Sequence, residues 1–315
     1  MKQAGALIAI LLTAGCAAHD PAGHHATGTA GAHAHHGQQN TQPMGELLAL
    51  SPPSDWRRLD PENTLYMEIP AGRVVIELAP EFAPKHVANI RTLVRQKYFD
   101  ATAIVRSHDN YVVQWADPTD KKDLGAATKS VEGEFTRSAA GLAFDKLPDP
   151  DTYGEAGFAG GFWAARDSAD GQAWMVHCYS TVGVGRGNET NSGSGASLYA
   201  VIGSAPRLLD RNITVVGRVV QGIEKLSVLP RGAGALGFYE KPEQHVPIKS
   251  VRLAADVPVA ERTELEALRT GSATFRQMVE NRRRRRDDWY KVPAGRVDVC
   301  NVPIPIRVAV PKEPR

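Results

Sequence analysis

Between residues 64 and 253 the chain is cut into short apolar runs separated by glycine, proline and asparagine. Residues 65–69 and 73–78 flank the triplet Pro70-Ala71-Gly72, which reads as a hairpin. Further strands are expected at 103–105, 111–114, 181–184, 198–202, 214–220 and 246–253. Helical spacing occurs twice. Val87, Ile90 and Val94 follow Pro84, a residue suited to a first helical turn, and predict a helix over 84–96; a shorter one fits 223–228. Many strands and two helices exclude a doubly wound α/β sheet and point to a mostly β barrel or sandwich.

Composition narrows the function classes. Hydrophobic residues make up 42% of the 315-residue chain, enough for a packed core. Lys and Arg number 37 against 35 Asp and Glu, which argues against a nucleic-acid binder. Arg282 to Arg286 are five consecutive arginines, but 256–315 carries 13 basic and 9 acidic residues, so the run reads as a solvated helix end. The Gly183-Val184-Gly185-Arg186-Gly187 stretch lacks the strand–helix setting of a phosphate loop. Ser107-His108-Asp109 is adjacent in sequence, whereas triad members converge in space.

The N-terminus reads as an address. Met1 and Lys2 precede an apolar run over 4–14, too short to span a bilayer and typical of a secretory signal. Leu12-Thr13-Ala14-Gly15-Cys16 resembles a lipobox with Thr13 in place of the usual Leu, which makes Cys16 the lipidation candidate; cleavage after Ala18 is the competing reading. A periplasmic, lipid-anchored monomer is therefore expected. Residues 19–55 read as a His-rich tether. His19, His24, His25, His33, His35 and His36 are a weak donor set for Zn²⁺ or Ni²⁺, and a soluble spacer of biased composition is the plainer reading. With Cys16 lipidated or removed, Cys178 and Cys300 remain as a possible disulfide, which sequence distance alone does not decide.

Three motifs, in order, resemble the cyclophilin-type peptidyl-prolyl isomerases: GRVVIELAPEFAP at 72–84, YFDATAIVRSHDNYVVQWADP at 98–118 and SLYAVIGSAPRLLDRNITVVG at 197–217. Asp100, Thr102, Arg106, Asn110, Gln114, Asp117 and Pro118 fall in register with the family pattern. The resemblance implies a closed antiparallel β-barrel with two capping helices over 60–255. It leaves an inserted loop at about 134–173 and a C-terminal appendage at 256–315, with helices at 260–268 and 272–285 and an extended stretch at 296–310.

It also implies a site. Arg106 matches the catalytic arginine, Gln114 its glutamine partner, and Tyr111 and Tyr199 the two aromatic positions of the proline pocket. Val112, Leu208, Leu209 and Ile213 complete that pocket, and Val184, Gly185, Ser197 and Leu198 lie along the bound backbone. Rotation about an Xaa-Pro bond breaks no covalent bond, so no cofactor or nucleophile is required and the expected partners are proline-containing polypeptides. The chain departs from the pattern at Ile104, Val105, Ser197, Leu208 and Ile213, which predicts reduced or narrower activity, or a proline-binding chaperone module with little turnover.

Overall fold

The structure, a computed structural model, describes residues 42–285 and 289–309. The expected signal segment 1–18, Cys16 and the histidines of 19–36 lie outside the described residues.

The centre is a nine-stranded antiparallel sheet in the order Val246–Pro247, Ala103–Ser107, Val112–Ala116, Leu198–Val201, Thr181–Val184, Val215–Gln221, Gly72–Leu78, Thr64–Ile69 and Ser250–Leu253. The first hairpin pairs Met67 with Val74 and Ile69 with Gly72. Gly72 closes the turn at φ +113, a conformation that side-chain-bearing residues avoid.

Inward residues alternate along each strand. Leu65, Met67, Val74, Ile76, Trp115 and Val182 bury with Val87, Ile90 and Leu93 of the Pro84–Arg95 helix. That helix has no side-chain cap of its own. Glu134 supplies one by accepting the Lys85 and His86 backbone N–H groups at 3.0 and 2.9 Å.

The closed barrel expected from the resemblance is corrected: the sheet curls, but its two edge strands do not pair with each other. The run expected as one strand over 246–253 is two, because Pro247 has no N–H for a ladder. Ile248 N–H turns to Thr102 O on one edge and Lys249 N–H to Glu68 O on the other. One segment thus crosses between the two edges of the curl.

The inserted loop at 134–173 is also corrected. This stretch folds into a five-stranded sheet in the order Arg137–Ser138, Gln172–Met175, Phe162–Asp167, Glu155–Ala159 and Asp145–Lys146. Gly160 and Gly161, at φ +59 and +87, make the two-residue turn of its central hairpin. Gly157 belongs inside a strand because a Cβ there would meet Asp145 O at 2.3 Å.

The C-terminal region is no appendage to the first core; it completes a second one. Phe158, Trp163 and Trp174 of the insertion pack with Phe275 and Met278 of the Ala273–Arg283 helix and with Val302. The helix expected over 260–268 is instead a strand, Leu265–Leu268, between Trp56–Arg58 and Ile306–Val308. Its Leu265 and Ala267 bury against Tyr66 and Val75 while Glu266 faces Arg307, a two-residue alternation that overrides helix propensity. Residues 44–55, expected as tether, are ordered: Met44–Ala49 is a helix whose Leu47 and Leu48 pack on the second core.

Two ties brace the second core, and a third joins it to the main sheet. Cys178 and Cys300 form a disulfide with Cα atoms 5.0 Å apart. Asp149 of the insertion accepts both Nε and Nη2 of Arg283 at 2.7 and 2.8 Å. Glu77 of the main sheet pairs with Arg218 and with Arg57, and Arg218 stands over Phe162 and Trp163 of the insertion. No described helix is long and apolar enough to cross a membrane.

Candidate active site

A register shift between Ile104 and Arg106 leaves Val105 unpaired in the ladder and sets Arg106 opposite Gln114. This bulge aims the arginine to the outer face of the curl. Gln114 pairs with Tyr199, and Tyr199 with Gly183, so four adjacent strands contribute Arg106, Gln114, Tyr199 and Gly183 to one transverse row.

Arg106 is held on two sides. Its Nη1 donates to Gln114 Oε1 at 3.0 Å and its Nε to Leu236 O at 2.6 Å. The guanidinium carbon stands 5.6 Å from the Tyr111 ring centroid and 5.3 Å from that of Phe238. Burial pushes its pKa down from the ordinary arginine value, with Tyr111 opposing, and arginine remains a cation through such a shift. Its Nη2 has no protein acceptor among the described residues and is available to a ligand. Gln114 Nε2 donates in turn to Ser197 Oγ at 3.0 Å. Gly185 makes that contact possible, since a Cβ there would stand 2.7 Å from Ser197 Oγ and 3.0 Å from Gln114 Nε2.

Beside this polar chain lies an apolar cluster of Val112, Tyr199 and Val201, flanked by the half-buried Tyr111 and Ile213. On the Arg207–Leu209 turn, Leu209 is half-buried and Leu208 is 70% exposed. The Tyr199 ring is buried, which pushes its phenol pKa up, and its hydroxyl lies 2.9 Å from His177 Nε2. On the other side of Arg106, a groove of about 650 Å³ runs past Gln114, Ser197, Gly185, Asp117 and Phe238.

The structure brings Arg106, Gln114, Tyr111, Tyr199, Val112, Ser197 and Ile213 to one face of the curl, with Gly185 beside Gln114 and Ser197, while Leu208 and Leu209 lie on the Arg207–Leu209 turn. It places two other expected binding residues elsewhere. The side chains of Val184 and Leu198 point into the main core, where each is 2% exposed, because strand parity puts Leu198 opposite in direction to Tyr199.

Sequence reasoning missed Leu236 and Phe238, which lie across Arg106, and Phe238 bridges it in antiparallel fashion. The available signal was the glycine-rich GAGALGFY run: Leu236 and Gly237 take φ +55 and +79, and a Cβ on Gly237 would meet His108 Cα at 2.6 Å. Among the described residues, no group of three or more His, Cys, Asp or Glu is arranged to hold a metal ion.

An arginine braced by a glutamine and a main-chain carbonyl thus stands beside an apolar cluster on a curled antiparallel sheet. Comparison with known proteins identifies the family. The sequence model of the cyclophilin type peptidyl-prolyl cis-trans isomerase family matches residues 64–253. A probable peptidyl-prolyl cis-trans isomerase of Brucella suis is 27% identical over 177 residues, 56% of this chain and 76% of that protein. Peptidyl-prolyl cis-trans isomerase-like 1 of Homo sapiens is 26% identical over 67% of this chain and 99% of its own length. The crystal structure of the cyclophilin AquaCyp293 from Hirschia baltica superposes with a TM-score of 0.66 at 27% identity, covering 83% of this chain and 96% of that one. This chain belongs to the cyclophilin-type peptidyl-prolyl cis-trans isomerase family, and its enzyme class is that of a peptidylprolyl isomerase.

Proposed function

We propose that the chain isomerises Xaa-Pro bonds by non-covalent catalysis centred on Arg106, acting on proteins exported beyond the cytoplasm. The observation that carries this reading is the Arg106 guanidinium, braced by Gln114 and Leu236, with Nη2 left over near Tyr111; the Tyr111–Val112–Tyr199 cluster beside it would form the proline recess. The planar amide resists rotation by about 18–20 kcal/mol because its nitrogen lone pair is conjugated. As the bond twists, the lone pair localises on the prolyl nitrogen and becomes an acceptor. An N–H of Arg106 donated there favours the twisted state over both planar ones, which is differential binding. The recess holds the ring still while the preceding carbonyl swings, and Gln114 with the Gly185 main chain steadies the backbone.

Exchange of a short Ala-Pro-containing peptide, followed by NMR, tests this reading. The full chain is expected to accelerate exchange, and Gln114→Leu to lower kcat/KM about tenfold by removing a hydrogen bond to a charged group. An uncatalysed rate with bound peptide would shift the assignment to a proline-binding chaperone module. The feature favouring that alternative is Ser197, whose short hydroxyl stands where the family pattern has a backbone-binding glutamine.

The export part of the proposal is supported by the apolar run over 4–14 and by the Cys178–Cys300 bond, which suits an oxidising compartment. Lipid anchoring at Cys16 predicts that Cys16→Ser moves the protein from the membrane to the soluble fraction on cell fractionation. Unchanged membrane association of the variant would remove the anchor from the proposal.

A further inference from the structure

Behind the recess runs a chain of buried polar groups that the catalytic scheme does not use. Asp210 Oδ1 accepts the His177 backbone N–H at 3.0 Å and the His177 Nδ1 proton at 2.9 Å. With Nδ1 donating, the tautomer assigned from this carboxylate leaves Nε2 to accept the Tyr199 hydroxyl proton at 2.9 Å. Asp210 Oδ2 accepts Arg207 Nε at 2.6 Å, and both Arg207 Nη groups donate to the Asp151 carboxylate at 2.8 and 2.9 Å. His177 is fully buried, and Tyr199, Asp210 and Arg207 are 5%, 5% and 9% exposed.

The two ends of this relay are informative. At one end Tyr199 stands where the family pattern has phenylalanine, and a buried phenol requires a partner. Room for its hydroxyl comes from Gly183, where a Cβ would lie 2.3 Å from that oxygen. At the other end Asp151 belongs to the insertion, outside the main sheet. Between them, Asp210 directly follows the Arg207–Leu209 turn that carries Leu208 and Leu209. Tyr199 in the apolar cluster and the turn that carries Leu208 and Leu209 are therefore tied to a single carboxylate.

We propose that His177 and Arg207 are positioning residues for the proline recess, and that the inserted subdomain sets how firmly the recess is held through Asp151. Charge keeps the outer link closed. Burial raises the Asp151 pKa, but the Arg207 fork and the Tyr153 N–H outweigh it and hold the carboxyl below its usual range. Burial opposes the Arg207 charge, yet Asp151 and Asp210 keep its pKa above the ordinary arginine value. A bidentate pair of this kind fixes orientation as well as distance. The relay contacts no reacting atom. Its effect is on the shape offered to the proline ring in planar and twisted states alike, so it acts on binding more than on turnover.

The inference rests on the recess being the proline site, and peptide affinity tests it even without turnover. The full chain, Asp151→Ala, Tyr199→Phe and the double variant are titrated with the same Ala-Pro-containing peptide by NMR, giving Kd, KM and kcat for each. Asp151→Ala is expected to raise Kd and KM about fivefold with kcat within twofold, the size of one lost hydrogen bond transmitted to the ligand. In the Tyr199→Phe background, where the relay is cut, the same replacement is expected to change Kd less than twofold. Asp151→Asn, which keeps an acceptor for Arg207, shifts Kd in the same direction by less and serves if the alanine variant fails to fold. Unchanged Kd and KM for both Asp151 variants overturn the proposal. So does a fall in apparent kcat with KM unmoved, the signature of a smaller folded fraction, or an undiminished effect in the Tyr199→Phe background. Binding without exchange by the unaltered chain would end the isomerase reading while leaving this one to be decided on Kd.

Discussion

Arg106→Ala is expected to lower kcat/KM for a proline peptide by about 100- to 1000-fold, the loss typical when a preorganised donor to a developing lone pair is removed. Several features make this the largest catalytic effect in the molecule. The guanidinium is half-buried and braced by Gln114 and Leu236, so its donors cost little reorganisation when the amide twists. Water entering the vacated space would be a mobile donor of ordinary strength. Arg106→Lys is expected to recover only a small part, because an ammonium cannot hold Gln114, Leu236 and substrate together as a planar fork does. Thermal unfolding should move little, since the site lies on the outer face of the sheet. Catalysis by Arg106→Ala within tenfold of the unaltered chain would refute an arginine-centred mechanism.

The second large effect is on stability. Glu77→Leu is expected to lower Tm by about 10 °C, corresponding to roughly 3–5 kcal/mol for stripping the partner from a buried charge in a domain of this size. Glu77 and Arg218 are 4% and 2% exposed. Arg218 donates to Glu77 Oε2 from both Nε and Nη2 at 3.2 and 3.1 Å, while Arg57 Nη1 reaches Oε1 at 2.6 Å. Burial lowers the Arg218 pKa against the pull of Glu77, as expected for a cation kept in place by its carboxylate. Without Glu77, Arg218 is left against Phe162 and Trp163 without its carboxylate and with the like charge of Arg57 nearby. The double replacement Glu77→Leu with Arg218→Met is expected to regain most of the loss, since an apolar pair of similar volume carries no desolvation cost. A drop in Tm under about 3 °C for the single variant would show that Arg218 finds water or another acceptor.

How much of this was legible in advance depended on how local each cause is. The strands flanking Gly72 and the Pro84–Arg95 helix follow from local pattern, and their bounds lie within a residue or two of expectation. That Arg106, Gln114 and Tyr199 share one face follows from motif spacing, which records one bulge and one cross-strand register. Parity along the strand would also have turned Leu198 inward, away from Tyr199, had it been applied to the binding set.

The insertion was misjudged for a physical reason. Residues 147–151 and 154–161 look like turn material, and the small residues of 155–159 become strand-compatible only against Trp174, Phe275 and neighbouring backbone from distant segments. Leu265–Leu268 was misassigned in the same way, its partners lying more than 35 residues away on both sides. Leu236 and Phe238 reach Arg106 only after the sheet has curled, and no spacing in the sequence encodes that approach.

The Cys178–Cys300 bond joins positions 122 residues apart, and much of the main sheet lies between them. Near one end of that interval, Trp289 and Val292 are 78% and 86% exposed, the kind of surface segment where proteases cut first. A single cut there releases neither piece: the sulfur bridge still joins them, and the shared core keeps them in register. Such a protein can be nicked and remain one molecule.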